Sequence, residues 1–403
     1  MTQVMQGIRV IEVAQWWFVP AAAAVLADWG AEIIKVEHPV SGDPMRGLVS
    51  SGMVVGNVEV NFMVEQSNRG KRSVGIDIAK PGGHELLMRL VETADVFLTS
   101  FMPDARRRLR IDVEDVRARN PRIVYARGTG HGVRGPDIHK GGYDAASFWS
   151  RGGIAHALTP AGAATPIMQR AAFGDSTGAM TIAGGIAGAL LHRERSGDAP
   201  VVDVSLLGTA MWILAPDIVA GVLTDQEMPR GDRKSSPNPI VNTYKTKDGR
   251  WLILNMLQPS RYWADLCRHL ERPDLIDDPR FVDDAARYRN SAACVGELDA
   301  IFAARTLAEW RQKLETVEGV WAPMQSAKEI PSDPQVEANG YLASLETPAG
   351  KPFKLVRSPV QYDETPPALR TAPEMGQDTE SVLMDLGLAW DDLTRHKQAG
   401  DIL

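Results

Sequence analysis

The first 130 residues alternate short apolar segments with segments of helical pattern, and this alternation most restricts the folds open to the chain. Pro20–Trp29 opens on proline, a favoured first-turn residue, and with Glu85–Thr93 is predicted to be helical. Apolar runs predict five strands: Ile8–Val13, Ile33–Glu37, Val74–Ile78, Val96–Thr99 and Ile123–Ala126. Strands that alternate with helices form parallel βαβ units, so the pattern predicts a doubly wound α/β sheet.

The remaining chain divides by composition. A small-residue helix is predicted over Gly174–Leu191, and a polar, proline-bearing stretch at 224–242 is interpreted as a linker. We therefore expect a large α/β domain over 1–223, a smaller α+β domain over 243–330 and a C-terminal segment over 331–403. The smaller domain is predicted to open with a hairpin, Asn242–Lys245 and Trp251–Asn255, joined through Lys247-Asp248-Gly249.

Charge, cysteine content and hydropathy exclude several classes of protein. The 403 residues carry a net charge of −7, which argues against nucleic acid as the main partner. The two cysteines, Cys267 and Cys294, cannot form a disulfide framework or a cysteine-rich zinc site. The first residues do not resemble a secretory signal, and the apolar stretch 178–191 is too short to span a membrane. A cytoplasmic protein without a membrane partner is expected.

The first strand–helix turn excludes a common nucleotide site. The turn Ala14–Pro20 contains no glycine, so it offers no G-x-G-x-x-G backbone cradle for a dinucleotide pyrophosphate. The sequence has no Walker A pattern, and its scattered histidines suggest no metal site.

The segment Phe173–Gly178 is the most informative for chemistry. Asp175 stands between two glycines that leave room for a bulky reactant, and a helix start offers free N–H groups that favour a negative charge. The same N–H groups are candidates to stabilise an oxyanion. The alternative is an aspartate that only caps a helix, and the local sequence by itself favours that alternative.

Three further segments admit two interpretations each. Tyr143 and Asp144 follow two glycines and either line a site or serve as a packed aromatic and a helix cap. The basic segments Asn68–Ser73 and Arg106–Arg108 either hold phosphates or form solvated surfaces.

Taken together, ordered motifs along almost the whole chain resemble the family III CoA-transferases, which include formyl-CoA and carnitine CoA-transferases and are related to α-methylacyl-CoA racemases. The motifs are G-I-R-V-I-E-V, A-D-W-G-A-E-I-I-K-V-E-H-P, S-G-D-P-M-R-G, N-R-G-K-R-S-V-G-I-D-I, G-D-S-T-G and A-P-E-M-G-Q-D-T-E-S-V-L-M-D-L-G-L. The resemblance implies an interlaced homodimer. Each chain would form a large Rossmann-like domain from its N-terminal part and its returning C-terminal segment, with the smaller domain between them.

The resemblance also implies a reaction. Asp175 matches the nucleophile of the transferases, with Gly174 and Ser176 beside it. The enzyme would move CoA from an acyl-CoA donor to a carboxylic acid through an aspartyl anhydride and an aspartyl-CoA thioester. Coenzyme A would be a co-substrate, and no metal is expected.

The related racemases suggest an alternative, exchange of the proton α to the thioester. In them a histidine precedes the aspartate that matches Asp144, and this chain has Tyr143 there, a poor base at neutral pH. Their glutamate in the small domain is matched by Gln258, which does not ionise. Both departures favour the transferase. A third possibility, a CoA-binding protein without catalysis, gives Asp175 no role.

Contacts with CoA carry over from the family to several positions. The first turn, Trp16, Trp17 and Phe18, would lie against CoA, and its aromatic character departs from the small polar turn of formyl-CoA transferase. Such a turn suits a larger, apolar acyl group, unless the rings pack in the core. The other matched positions are His38, Ile76, Asp77, Ile78 and Arg108, together with Lys140, which lies one place from a lysine of the family.

Overall fold

The structure, a computed structural model, describes residues 2–52 and 59–403. Its largest sheet has six strands in the order β3-β2-β1-β4-β5-β6, and every neighbouring pair is parallel. The strands are β1 (Arg9–Val13), β2 (Glu32–Glu37), β3 (Arg72–Gly75), β4 (Val96–Thr99), β5 (Val124–Thr129) and β6 (Val201–Ser205). The predicted α/β sheet is confirmed, and its order is that of a doubly wound dinucleotide-binding fold.

Helices lie between these strands, and the last two of them follow β6. They are α1 (Phe18–Asp28), α2 (Phe62–Asn68), α3 (Pro81–Glu92), α4 (Pro103–Leu109), α5 (Val113–Arg119), α6 (Ile154–Leu158), α7 (Phe173–Ser196), α8 (Leu206–Ile213) and α9 (Ala215–Thr224). A 3₁₀ turn covers Pro44–Gly47, and a π-helical turn covers Ala145–Ser150.

Two apolar layers cover the two faces of this sheet. Alternate side chains of β1, such as Val10 and Ile11, point to opposite faces and join different buried clusters. On one face the alanine-rich α1 packs against α7, which is possible because small side chains let two helices approach closely. On the other face the core includes α3 and residues close to the C-terminus, such as Leu383 and Ile402.

The chain packs into two compact units. The first comprises 1–156, 167–226 and 334–403, and the second comprises 157–166 and 227–333. The predicted domain bounds remain a prediction.

The second unit has a three-stranded antiparallel sheet and its own apolar core. Its strands are β7 (Val241–Lys245), β8 (Trp251–Asn255) and β9 (Trp321–Pro323), so the predicted hairpin is present. Its helices are α10 (Pro259–His269), α11 (Asp284–Arg289), α12 (Ser291–Phe302) and α13 (Leu307–Lys313), and 3₁₀ turns cover Arg233–Ser235, Pro273–Leu275 and Ile330–Ser332.

The C-terminal part of the first unit lies along the edge strand of the large sheet. It contains α14 (Pro334–Ala338), the hairpin of β10 (Leu342–Glu346) and β11 (Pro352–Val356), α15 (Thr379–Asp385) and α16 (Trp390–Ala399). Beyond β3, the N–H of Asp77 donates to the carbonyl of Asp401, and the N–H of Leu403 donates to that of Gly75. The last residues thus extend the sheet edge.

The strand order creates a crevice between two neighbouring connections. β1 and β4 are adjacent, but the chain leaves β1 toward β2 and leaves β4 toward β5 on the other side. Ligands of doubly wound sheets bind at the carboxyl ends of the strands at such a switch point. Here the residues that follow the two strands are Ala14–Trp17 and Ser100–Met102.

Among the described residues, no single helix has the length and apolar composition to cross a membrane. One bent pair, α8 and α9 at 72°, passes that test by length and composition only.

Candidate active site

Two cavities lie at the carboxyl ends of the strands. The larger, of about 540 Å³, contains Asp175 in its lining, and the smaller measures about 200 Å³. Gln15, Phe101 and Leu109 line both cavities, so the two are neighbours around the crevice between β1 and β4. All lining residues belong to the first unit.

Asp175 is the third residue of α7 and does not cap it. The helix begins at Phe173 after Ala172, which has a φ of 60° and makes no side-chain capping hydrogen bond. The interpretation of Asp175 as an ordinary helix cap is therefore wrong. The Asp175 side chain instead lines the larger cavity.

The start of α7 is capped from another segment by Asp144. The buried Asp144 carboxylate accepts the N–H of Gly174 at 3.1 Å to each oxygen. The N–H of Ser176 donates to the carbonyl of Ala172. Both of these first-turn donors are already paired, so the expectation that they stabilise an oxyanion is wrong for Gly174 and Ser176.

Burial and a like charge act together on Asp175. Loss of hydration disfavours the charged carboxylate, and the nearby Asp144 carboxylate repels it. The two effects raise the pKa of Asp175 to about 7. The sequence predicted that the helix start would favour its charge, but these effects are stronger. Burial also raises the pKa of Asp144, although hydrogen bonds from backbone N–H groups and from the Gln169 side chain favour its charged form.

Gly174 permits the close approach of these groups. A Cβ added there would lie 2.2 Å from Cγ of Phe148 and 2.4 Å from Oδ1 of Asp144, closer than real Cβ contacts. Further along α7, a Cβ on Gly178 would lie 2.4 Å from the Phe18 ring. Glycine at these positions lets the helix pack against the ring and the capping carboxylate.

The three aromatic residues of the first strand–helix turn have different surroundings. Trp16 lines the larger cavity, and its ring meets that of Tyr143 edge to face at 5.8 Å. The Trp17 indole donates to the hydroxyl of Ser176 at 3.0 Å, which ties the turn to the start of α7. Phe18 is buried, and it both joins the core and lines the cavity. The turn thus contributes both to the cavity wall and to the core, and its contact with a ligand remains a prediction.

One arginine of the basic run is unpaired. Arg106 bonds to Asp112 and to the carbonyl of Phe101, and Arg107 pairs with Asp104. Arg108 is exposed at the larger cavity and has no side-chain partner among residues 2–52 and 59–403. Lys140 also lines this cavity, and it pairs with Asp137 at 2.7 Å.

The smaller cavity contains the other predicted CoA contacts, His38, Ile76, Asp77 and Ile78. Nδ1 of His38 accepts the N–H groups of Val40 and Ser41, each at 3.2 Å. The proton of the neutral ring is therefore on Nε2, which faces the Asp77 carboxylate at 3.9 Å.

The two residues that would replace the racemase groups lie in different units. Tyr143 is 64% exposed at the larger cavity. Gln258 precedes α10 in the second unit and contacts Arg261 at 3.4 Å. Within the described residues, no group of three or more His, Cys, Asp or Glu side chains is placed to hold a metal ion.

Sequence reasoning missed several residues at the cavities. His131 lines the larger cavity, and its buried Nδ1 has no hydrogen-bond partner in the part of the chain that the structure describes. Asp43 lines the smaller cavity and accepts the backbone N–H of Trp16. Its place between a glycine and a proline, in the turn that follows the second predicted strand, was the available signal.

Comparisons with known proteins agree on one family. A family model described as CoA-transferase family III matches residues 5–379. The chain is 29% identical over 384 residues to the (R)-2-hydroxy-4-methylpentanoate CoA-transferase of Clostridioides difficile, and the match covers 95% of each chain. It is 29% identical over 405 residues to the cinnamoyl-CoA:phenyllactate CoA-transferase of Clostridium sporogenes, and this match covers 100% of this chain and 98% of that one.

The fold is also similar to a solved structure. The crystal structure of Rv3272 from Mycobacterium tuberculosis in its orthorhombic form superposes with a TM-score of 0.80 at 28% identity. The match covers 94% of this chain and 99% of that one.

Proposed function

The chain belongs to CoA-transferase family III and is a transferase, and from this premise we propose that it moves CoA between acids through covalent intermediates on Asp175. The observation that carries the proposal is the carboxylate of Asp175, which lines the larger cavity and has its pKa raised to about 7. A carboxylate of higher pKa is more basic and is a better nucleophile toward a thioester carbonyl.

In the first step an Asp175 oxygen attacks the thioester carbonyl of the acyl-CoA donor. The carbon–sulfur bond breaks, CoA leaves as the thiolate, and a mixed anhydride between Asp175 and the acyl group remains. The thiolate then attacks the Asp175 carbonyl, which releases the donor acid as a carboxylate and forms an aspartyl-CoA thioester. Each step exchanges one activated acyl bond for another, so the energy of the thioester is retained.

The acceptor acid reverses the sequence. Its carboxylate attacks the Asp175 carbonyl and expels CoA thiolate, which then attacks the acceptor's carbonyl in the new anhydride. The new acyl-CoA forms, and Asp175 returns to its carboxylate state. Water must be excluded meanwhile, because it would hydrolyse both intermediates. The half-buried setting of Asp175, beside the rings of Trp16 and Tyr143, supports this requirement.

Coenzyme A would occupy both cavities. The two cavities share lining residues, with Asp175 in the larger one and His38 and Asp77 in the smaller one, so a long ligand such as an acyl-CoA would extend from one cavity into the other. Arg108, the unpaired cation of the basic run, would contact a phosphate group. Lys140 is already paired and would add a weaker attraction.

The acyl group would have an apolar body. Trp16, Phe18 and Tyr143 share the cavity with Asp175 and offer it aromatic surface. The two transferases compared above are named for a 4-methyl-branched acid and for phenyllactate, and both names fit such a surface. We propose a branched or aromatic carboxylic acid as the acceptor.

The active form would be an interlaced homodimer. Helices α8 and α9 of the first unit expose a row of large apolar side chains: Met211, Trp212, Ile213, Val219, Val222 and Leu223. Several large exposed apolar side chains on two neighbouring helices support a subunit contact. Size-exclusion chromatography with light scattering should give twice the chain mass, and Trp212→Glu should shift the distribution toward a single chain. A wild-type mass equal to one chain would overturn the dimer.

Proton exchange of the racemase kind receives less support. The positions of its histidine and glutamate hold Tyr143 and Gln258, and the two relatives compared are named as CoA-transferases.

The test is to trap the intermediate. The protein is incubated in deuterated water with a panel of acyl-CoAs, reduced with borohydride and mapped by peptide mass spectrometry. Modification confined to Asp175, absent in Asp175→Asn and retained in Ser176→Ala, would support the mechanism. Transfer of CoA without any modification of Asp175 would overturn the proposed mechanism, and so would full transfer activity in Asp175→Asn. Deuterium at the α-carbon with unmodified Asp175 would establish proton exchange instead.

A further inference from the structure

Trp16 adopts a backbone conformation that its residue type disfavours. Its φ is 71°, in the left-handed region, where a side chain larger than glycine is strained. Among the described residues it is the one aromatic side chain with positive φ. Strain of this kind persists only where the surroundings enforce it, and it concentrates at functional sites.

A buried carboxylate enforces this conformation. Oδ1 of Asp43 accepts the N–H of Trp16 and that of Met45, each at 3.0 Å. The second bond caps the 3₁₀ turn Pro44–Gly47, so Asp43 itself is fixed by its own segment. The Asp43 side chain is 1% exposed, which shields the bond to Trp16 from competing water.

A buried lysine completes the arrangement. Nζ of Lys35 lies 2.9 Å from Oδ2 of Asp43, 2.8 Å from Glu12 and 3.0 Å from the carbonyl of Ala14. Ala14 belongs to the same turn as Trp16. Lys35 therefore stabilises this turn directly, through the carbonyl of Ala14, and indirectly, through Asp43. Charge-assisted bonds between buried groups are strong and geometrically restrictive.

The backbone conformation of Trp16 also affects the shape of the cavity that Asp175 lines. The backbone conformation of Trp16 sets the direction of its indole, which stands edge to face against Tyr143. Both rings line the cavity around Asp175. A relaxed turn would therefore move one wall of this cavity.

We propose that Asp43 is a positioning residue for acyl-group selection. Fixed by Lys35, it holds Trp16 in the left-handed conformation that places the indole as the wall for a bulky acyl group. This inference rests on the proposed transferase function. It adds a determinant of substrate choice that touches neither the acyl group nor Asp175.

The test compares two acids with one acyl-CoA donor. The readout is the ratio of kcat/KM for the best branched or aromatic acid to kcat/KM for acetate, because loss of structure or of active sites lowers both values equally. Asp43→Ser keeps a short hydroxyl that can cap Met45 but cannot reach Trp16. We expect it to lower the ratio about tenfold, the effect of losing part of the apolar contact of one side chain.

A double-mutant cycle separates this role from a general one. Trp16→Gly removes the indole and the strain together, so Asp43→Ser should change the ratio little in that background. Asp28→Asn is the matched control, because Asp28 forms a buried ion pair with Arg69 in the same unit but lines neither cavity. It should leave the ratio unchanged.

The outcomes distinguish the two proposals. If the wild type transfers no CoA, the proposed function fails. If the wild type is active, two results would overturn the positioning role. One is that the effects of Asp43→Ser and Trp16→Gly on the ratio multiply in the double variant. The other is that Asp28→Asn lowers the ratio as much as Asp43→Ser does.

A measurement on the wild-type protein covers the case in which Asp43→Ser does not fold. With tryptophan labelled by nitrogen-15, the backbone N–H of Trp16 is identified by its loss in Trp16→Phe. Its hydrogen exchange should be slowed at least a hundredfold relative to an open loop, although the turn lies at a cavity. Exchange at the rate of an unstructured segment would overturn the proposal.

Discussion

Both carboxylate oxygens of Asp144 lie 3.1 Å from the backbone nitrogen of Gly174. The Asp144 side chain therefore acts in two ways on Asp175, the residue that follows Gly174. It caps the helix that carries Asp175, and its charge adds to the burial that raises the pKa of Asp175. The group that caps α7 and the carboxylate that repels the charge of Asp175 are therefore the same residue.

This arrangement predicts the pH dependence of transfer. In the proposed mechanism the nucleophile is the charged form of Asp175, whose pKa is raised to about 7. We expect kcat/KM to rise with pH up to about 7 and then level off, with a tenfold loss for each unit below that value. Initial rates from pH 5.5 to 8.5 with a fixed acyl-CoA donor measure it.

Asp144→Asn tests the second carboxylate. Its amide oxygen can still accept the N–H of Gly174, but the repelling charge is gone. The midpoint of the pH profile should move to lower pH and stay above the ordinary aspartate value, because burial is the larger cause of the shift. An unchanged midpoint would show that Asp144 does not act on Asp175 through its charge.

Asp175→Asn should abolish transfer and stabilise the folded protein at alkaline pH. The pKa of Asp175 is raised by folding from 3.8 to about 7. The folded state therefore binds this proton more tightly, and the associated stability is present below pH 4 and lost as the pH rises through 7. Asparagine resembles the protonated form, so at pH 8 the variant should gain on the order of 2 kcal/mol in the free energy of unfolding.

Urea unfolding at several pH values checks this prediction. The difference between Asp175→Asn and wild type should grow from pH 5 to pH 8. A difference that stays constant, or that shrinks as the pH rises, would mean that Asp175 is not held in a setting that disfavours its charge.

The large sheet was predictable because its signal is local. Apolar runs such as Val96–Thr99 match the observed strand to the residue, and α7 extends the predicted helix in both directions to Phe173–Ser196. Elements with weak or mixed patterns were missed, including α16, whose only buried residue is Leu393, and the hairpin of β10 and β11, whose strands bury only Ala343 and Leu355. A short amphipathic or exposed segment leaves little hydrophobic periodicity to read.

Several residues that line the cavities were predictable from the sequence, but their contacts were not. The sequence and the family resemblance pointed to Asp175 and Asp144, yet the bond from Gly174 to Asp144 joins segments 30 residues apart. The role of Asp43 depends on the backbone angle of Trp16, which no residue pattern encodes, since glycine would be expected there. Long-range contacts and strained angles exist only in the folded chain.

Arg108→Ala should weaken the binding of the CoA thioester. Arg108 lines the larger cavity and has no side-chain partner within residues 2–52 and 59–403. A charge-assisted bond to a phosphate at an exposed site is worth about 1.5 kcal/mol. The KM for acyl-CoA should rise about tenfold, with kcat nearly unchanged, and the effect should diminish at high salt. Arg107→Ala is the matched control, because Arg107 already pairs with Asp104. Equal effects of the two variants would show that only the net charge matters.

Gly174→Ala should be both destabilising and inactivating. In most helix interiors alanine stabilises relative to glycine by up to about 1 kcal/mol. Here the new methyl would lie 2.2 Å from the Phe148 ring and 2.4 Å from the Asp144 carboxylate, and both are buried. Relief of such an overlap typically costs about 1–3 kcal/mol, so the net change in the free energy of unfolding should be negative.

The same overlap would displace the start of α7, and with it Asp175. Because a shift of about 1 Å in a reacting group can reduce a rate by about a hundredfold, kcat should fall more than stability alone explains. Gly188→Ala on the same helix is the control, since a Cβ there would have no atom within 4 Å. It should keep full activity and unfold at an equal or higher urea concentration. Full activity in a folded Gly174→Ala would contradict the tight contact between Gly174, Phe148 and Asp144.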